Sequence, residues 1–172
     1  DGNEAIAGVI EINNNNLPKK HSTSGEAKAL YQSINHNYGL GFNVKSRGDQ
    51  FFYKIKGSYS DYADYKTTAD QIYYLNRYLP IYNKRVKNTA GRDLNAEVQV
   101  GFVGEKFRSI LTLSNVNQKM GFFPGSHGIP SVDRLQDDGN NRNIEFPYQK
   151  VNHFKVISEN EIRLTPKDVL KL

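Results

Sequence analysis

A chain of 172 residues with 37% hydrophobic residues, a mean hydropathy of -0.68 and no cysteine suits one domain or a section of a larger one, and it excludes disulfide scaffolds, thiol nucleophiles and cysteine metal sites. No apolar run approaches the ~18 residues of a membrane helix, a test that a membrane β-barrel escapes because its strands need only about 9–11 residues with one apolar face. A formal charge of +5 favours anionic partners, but the cations are scattered and the densest group, Lys84-Arg85 with Lys87, is too small for a nucleic-acid stripe, so no nucleic-acid partner is expected.

Residues 1–12 read as a short strand with small-residue joints, and residues 13–24, with an asparagine run, Pro18 and a basic pair, read as a linker. Regions rich in Tyr, Phe, Val, Ile and Thr then alternate with regions rich in Gly, Asn, Asp and Pro, which is a strand-and-turn pattern. The first strand is expected over about 25–34, with Ala27, Ala29, Tyr31 and Ser33 on one face, followed by a turn at Asn35-His36-Asn37. The second, 38–46, sets Leu40, Phe42 and Val44 against Gly41, Asn43 and Lys45, and Arg47-Gly48-Asp49 follows as a tight turn. The third, 50–62, carries the clearest period of two: Phe51, Tyr53, Ile55 and Tyr59 oppose Lys54, Lys56, Ser58 and Ser60.

A long irregular segment, 64–91, follows, with a short helix expected around 70–79. Its tyrosines suit a binding loop, because tyrosine supplies contact area at low entropy cost. The fourth strand, 92–103, sets Leu94, Ala96, Val98, Val100 and Phe102 against Asn95, Glu97 and Gln99; the turn at Gly104-Glu105-Lys106 leads to a fifth over 107–117. A second long segment, 120–148, precedes a sixth strand over 151–164. Short turns thus follow the second and fourth strands and long loops the third and fifth, while the connection after the first strand is short but lies on the long-loop side. Membrane barrels sort their connections in this way, with short periplasmic turns at one end and long extracellular loops at the other.

No constellation for catalysis emerges, and an enzyme is not expected. Asp61, Asp64 and Asp70 lack metal-ligand spacing, and the cluster of Asp133, Asp137 and Asp138 lacks the alternate-residue pattern of a calcium loop and reads as turn chemistry. No cofactor is expected. Tyr73, Tyr74, Tyr78, Tyr82, Phe122 and Phe123 are candidates for a ligand-binding surface, and they equally suit loop packing or an aromatic girdle. His127, in Gly125-Ser126-His127-Gly128, is a candidate ligand-binding residue set against a solvated histidine.

The opening residues Gly2, Ala5, Ile6, Gly8, Val9, Ile10 and Ile12 match a Tyr-Gly-Ser-x-Ala-Ile-Gly-Gly-Val-Ile-Asn-Ile pattern, with Asp1, Ala7 and Glu11 departing from it. This resembles the junction between plug and barrel in TonB-dependent outer-membrane receptors. Phe51-Phe52-Tyr53, Asn88-Thr89-Ala90-Gly91 and Gly121-Phe122-Phe123-Pro124-Gly125 look like segments of such receptors from Bacteroidetes-type bacteria. The resemblance implies an all-β antiparallel up-and-down meander, a partial transmembrane β-barrel with long extracellular loops. Residues 1–12 would end the plug domain, 13–24 would link it, and 25–172 would be the first six or so strands of a barrel of about 22. The chain starts without a leader and ends without a terminal aromatic strand, so both ends read as those of a fragment. The implied partners are the TonB energy-transducing complex, reached through an N-terminal plug region absent here, a small nutrient ligand, and outer-membrane lipid. The implied nutrient is scarce: a ferric siderophore, haem, cobalamin or an oligosaccharide. The alternative is a soluble β-sandwich that binds carbohydrate through its tyrosine-rich loops.

Overall fold

A computed structural model of the chain describes residues 16–128, 130–165 and 168–172. The plug-like segment 1–12 and linker residues 13–15 lie outside them. In chain order the strands are β1 (Ser22–Gln32), β2 (Asn37–Arg47), β3 (Phe51–Tyr62), β4 (Tyr65–Lys66), β5 (Gln71–Tyr74), β6 (Arg77–Pro80), β7 (Arg85–Val86), β8 (Gly91–Val103), β9 (Phe107–Gly121), β10 (Tyr148–Arg163) and β11 (Val169–Lys171). The fold is all-β: the described helical residues form only 3-10 turns, at Tyr82–Lys84, Pro124–His127 and Val132–Arg134. One seven-stranded sheet runs in the order β1-β2-β3-β8-β9-β10-β11, antiparallel throughout, and it is open at β1 and β11.

Alternating side chains make the two faces of this sheet chemically opposite. Register places Val44, Ile55, Val98, Leu113 and Val156 in one row across β2, β3, β8, β9 and β10. Leu40, Tyr59 and Leu94 form a parallel row on the same face. That apolar face is the open one: Leu40 is 61% exposed and Leu94 58%. The polar face is the more enclosed, with Lys54 only 8% and Gln99 6% exposed. It is stitched by Lys56 to Glu97 at 3.0 Å, by the Gln99 amide donating to Thr112 Oγ1 at 3.0 Å, and by Arg108 to Glu161 at 3.4 Å. Phe52 lies over Gly101 on this face, where a Cβ would come within 2.2 Å of the ring; glycine is what lets the aromatic lie flat on the sheet.

Of the seven buried hydrophobic residues among those described, only Phe52 and Ile110 belong to the large sheet; Ala63, Leu79, Ile81, Ala90 and Leu135 lie in the long connections. The closest packing in the described chain is therefore at its loop end. Tight turns close the opposite end, with Gly48 N–H donating to Phe51 O at 2.9 Å and Gly104 N–H to Phe107 O at 2.8 Å.

Several expectations need correction. Residues 70–79 are not helical: β5 and β6 pair as a hairpin, Gln71 opposite Pro80 and Tyr74 opposite Arg77. Leu75 and Asn76, with φ of 46° and 61°, form the primed two-residue turn whose twist matches antiparallel strands. The first strand begins at Ser22 and ends at Gln32, so it takes the last three residues from the expected linker and shifts the turn to 33–36. The fifth strand continues to Gly121, the sixth starts at Tyr148, and β11 adds a short strand not expected from the sequence.

Candidate functional site

The two long connections, 63–90 and 122–147, fold against each other and against the β1–β2 turn. Ala63 N–H donates to Asn35 O at 2.7 Å, Lys66 N–H to Ile34 O at 2.8 Å, and Asp64 N–H to Asn141 O at 2.7 Å. These bonds place all three connections at one end of the sheet.

Asn88 is the hub. Its φ of 60° suits an asparagine, which tolerates the left-handed region, and its side chain is 1% exposed. The amide Nδ2 donates to the carbonyls of Phe122 (2.8 Å), Glu145 (3.0 Å) and Pro147 (2.9 Å), while Oδ1 accepts from Glu145 N–H at 2.8 Å. Beside it, Asp64 Oδ1 accepts from the N–H groups of Thr89 (2.7 Å) and Ala90 (3.0 Å). Burial pushes the Asp64 carboxyl above its ordinary value, against the pull of those N–H groups and that of Asn88. Lys87, largely buried, reaches Asp138 at 2.9 Å and Glu145 at 3.8 Å. Burial opposes ionisation of Asp138, but the Lys87 ammonium, the Asn143 amide and the Asn140 N–H outweigh it and hold this carboxyl far below the usual range. Arg142 binds Asp61, donates to His36 O at 2.6 Å and lies 5.3 Å from the centre of the Tyr38 ring. Burial, followed by the charges of Lys66, Arg85 and Arg142, lowers the pKa of His36.

Of the carboxylates weighed as metal ligands, Asp61, Asp64, Asp70, Asp137 and Asp138 are engaged by other groups of the protein. Asp137 Oδ1 accepts from Gly139 N–H and Asp138 Oδ1 from Asn140 N–H, each at 2.9 Å, closing two turns, and Asp70 pairs with Lys84. Among the described residues no group of three or more His, Asp or Glu is arranged to hold a metal ion.

The candidate aromatics fall into separate groups. Tyr73 and Tyr78 face each other across the β5–β6 hairpin, with ring centres 5.0 Å apart and planes at 52°; they are 63% and 67% exposed. Tyr74 and Phe123 converge on Gly125, where a Cβ would meet their rings at 3.6 and 2.8 Å. Tyr82 lines a small cleft with Asp64, Arg85, Lys87, Leu135 and Asp137. Phe122 is exposed at the end of β9, with its N–H donating to Pro147 O at 2.9 Å. The His127 backbone belongs to the Pro124–His127 turn, and its side chain lies outside the described residues. Among the described candidates only Tyr73 and Tyr78 form a ring pair open to solvent; Tyr74, Tyr82 and Phe123 pack the loops. The interlocking role of Asn88, Lys87 and Arg142 is not visible in the local sequence, because their partners lie 57, 51 and 81 residues away.

No known family model, curated protein or solved structure matches the chain.

Proposed function

We propose that the chain is a section of a TonB-dependent outer-membrane receptor, which captures a scarce nutrient through its long loops and imports it. The observation that carries this reading is the inverted sheet: a broad apolar face is open while the polar face of the central strands is the more enclosed, with Lys54 and Gln99 buried there. In water that arrangement exposes a contiguous apolar band of the kind that soluble monomers rarely present. In a bilayer it is the stable one, with lipid on the apolar face and a polar lumen behind it.

Three features support the reading. Aromatic pairs flank the band: Tyr31 and Tyr38, with ring centres 5.2 Å apart, at the loop end, and Phe51 with Phe102 (5.1 Å) and Phe102 with Phe107 (6.2 Å) at the turn end. Membrane barrels carry aromatic girdles at both interfaces. Ser109 and Asn160, polar residues on the apolar face near the turn end, satisfy each other through a 2.7 Å hydrogen bond. Finally, the band crosses the sheet obliquely. At the loop end it starts at Tyr38, Tyr59, Leu94 and Leu113 on successive long strands, and at the turn end it stops at Val44, Phe51, Phe102 and Phe107. The row of Tyr38 meets Lys119 on β9, which is 119 − 113 = 6 residues from Leu113. A drift of about 20 Å along the strands over about 14 Å across them is a slope of about 55°, in the sense expected of strands tilted to a membrane normal and somewhat steeper than the roughly 35–45° of such barrels.

The test is surface labelling in a Gram-negative host, with this chain inside its full open reading frame. Arg77→Cys, beside the hairpin turn, is expected to react with an impermeant thiol reagent on intact cells, and Gly48→Cys only after lysis; both protein pools belong in the outer-membrane fraction. A soluble full-length protein labelled equally at both positions overturns the reading and promotes the carbohydrate-binding sandwich.

A further inference from the structure

We propose that the outer edge of β5 captures an oligopeptide nutrient by taking it up, in extended form, as a third strand of the β5–β6 hairpin. The proposal rests on the receptor reading and names a substrate class for its loop end. β5 and β6 form a small sheet of their own, with Gln71 opposite Pro80, Ile72 opposite Leu79, Tyr73 opposite Tyr78 and Tyr74 opposite Arg77. Just beyond it Ile81 N–H donates to Asp70 O at 2.7 Å, so Asp70 and Ile81 are a hydrogen-bonded pair. Bonded and non-bonded pairs alternate along an antiparallel ladder, which makes Gln71 with Pro80 and Tyr73 with Tyr78 the non-bonded ones. The backbone N–H and C=O groups of Gln71 and Tyr73 therefore point away from β6. Among the described residues no hydrogen bond engages them.

The two edges of the hairpin differ. On β6, Pro80 has no N–H to offer, and proline is a common guard against strand addition. β5, Gln-Ile-Tyr-Tyr, carries no such guard. Its neighbour β4 is already covered, because Lys66 N–H donates to Ile34 O at 2.8 Å and Tyr65 N–H to Thr89 Oγ1 at 3.0 Å. In the barrel reading the edges of the large sheet are taken by further strands, so the edge of β5 is the one left open. It is also held in place. Ile72, Tyr74 and Leu79 share the face by which the hairpin packs: Leu79 is buried, and Tyr74 converges with Phe123 on Gly125. Only an extended polypeptide presents N–H and C=O groups at the spacing of about 6.8 Å that Gln71 and Tyr73 set. In the antiparallel sense, the peptide residue opposite Tyr73 lays its side chain beside that ring, on the open face that Tyr78 shares. An apolar or aromatic side chain suits that place. An oligosaccharide would stack on the rings and leave the ladder groups unpaired.

The experiment is fluorescence anisotropy of the full-length protein in detergent micelles, with the fluorescein-labelled heptapeptide Ser-Thr-Val-Tyr-Val-Thr-Ser as probe. Wild type is expected to bind it, and the same peptide N-methylated along its backbone should bind at least about tenfold more weakly, since it keeps the side chains and loses the ladder. Gln71→Pro gives β5 the guard that Pro80 gives β6, removes only an N–H that points outward, and should weaken binding by about tenfold. Gln71→Ala, which keeps that N–H, should bind as wild type does, which separates the backbone edge from the side chain and from damage to the fold. Cells of the native host should accumulate the labelled peptide when they carry wild type and not when they carry Gln71→Pro. Absence of binding, equal binding of the methylated peptide, or unchanged binding by Gln71→Pro overturns the proposal. Binding without accumulation overturns it as well, and assigns the edge to a strand of a partner protein. A protein found in the outer membrane that fails these tests leaves the receptor reading standing; a protein absent from the membrane fraction removes both.

Discussion

The side chain of Asn88 reads both backbone groups of Glu145, accepting from its N–H at 2.8 Å and donating to its carbonyl at 3.0 Å. One buried amide thereby ties the connection 63–90 to the connection 122–147. Removing it strands the Glu145 N–H and the Phe122 carbonyl in a water-poor site. Asn88→Gly, which suits the φ of 60°, isolates that loss from backbone strain. The variant should be destabilised by about 3 kcal/mol and should admit protease within 122–147 far faster than wild type. Asn88→Ala should be worse by about 1 kcal/mol, because alanine also resists the left-handed backbone. Unchanged proteolysis in Asn88→Gly would show that the loops are held by other contacts.

The Lys87–Asp138 pair sets an acid limit for the same loops. The carboxyl of Asp138 is depressed in the folded state, so its stabilisation is present above the ordinary carboxylate range and disappears as pH falls through its lower folded value. Asp64 is shifted upward and works in the opposite sense: it takes up a proton earlier in the folded state, which adds stability as pH drops toward its ordinary value. The loop cluster is therefore expected to persist to about pH 4 and to loosen only below it. Lys87→Met removes the main partner of Asp138 and should move the opening upward in pH, as followed by proteolysis or by the amide resonances of 137–145. An opening pH that does not move would remove Lys87 from this role.

The strands of the large sheet were legible because their faces differ in chemistry at every second residue: Phe51 to Ser60 announces itself without a partner. The loop end was much less so. A short helix is expected around 70–79 and a hairpin stands there, whose turn lacks the usual glycine: Leu75 occupies a left-handed position. Asp64 reads in the sequence as a polar loop residue without metal-ligand spacing, whereas its partners are backbone N–H groups 25 and 26 residues on, which side-chain patterns do not encode. The ring pair of Tyr73 and Tyr78 follows from the hairpin register and became visible only with it.

The two faces of the sheet predict opposite responses to one charge. Val98→Arg puts a guanidinium in the middle of the apolar row, and Ser114→Arg puts it on the polar face opposite Glu97. In a bilayer the first should cost about 2–4 kcal/mol, while the second should stay within about 0.5 kcal/mol of wild type. Urea titration of the full-length protein refolded into lipid vesicles measures both. In a water-exposed sheet Val98, 39% exposed, would accept arginine nearly as well as Ser114 does, so equal costs would argue against lipid on that face.

The hairpin separates contact from support in the same way. Leu79 is 6% exposed, and Leu79→Ala should cost about 2–4 kcal/mol. Tyr73 and Tyr78 project outward and chiefly touch each other, an interaction worth about 1 kcal/mol. Tyr73→Ala/Tyr78→Ala should therefore leave the protein folded, at normal level in the membrane fraction. If the open ring pair is a capture surface, the same variant should fail to restore nutrient-limited growth to a strain of the native host that lacks the protein, while wild type restores it. Full restoration by the double variant would assign the pair to the hairpin's own packing and move the search for the capture surface to Phe122 and the rest of the connection 122–147.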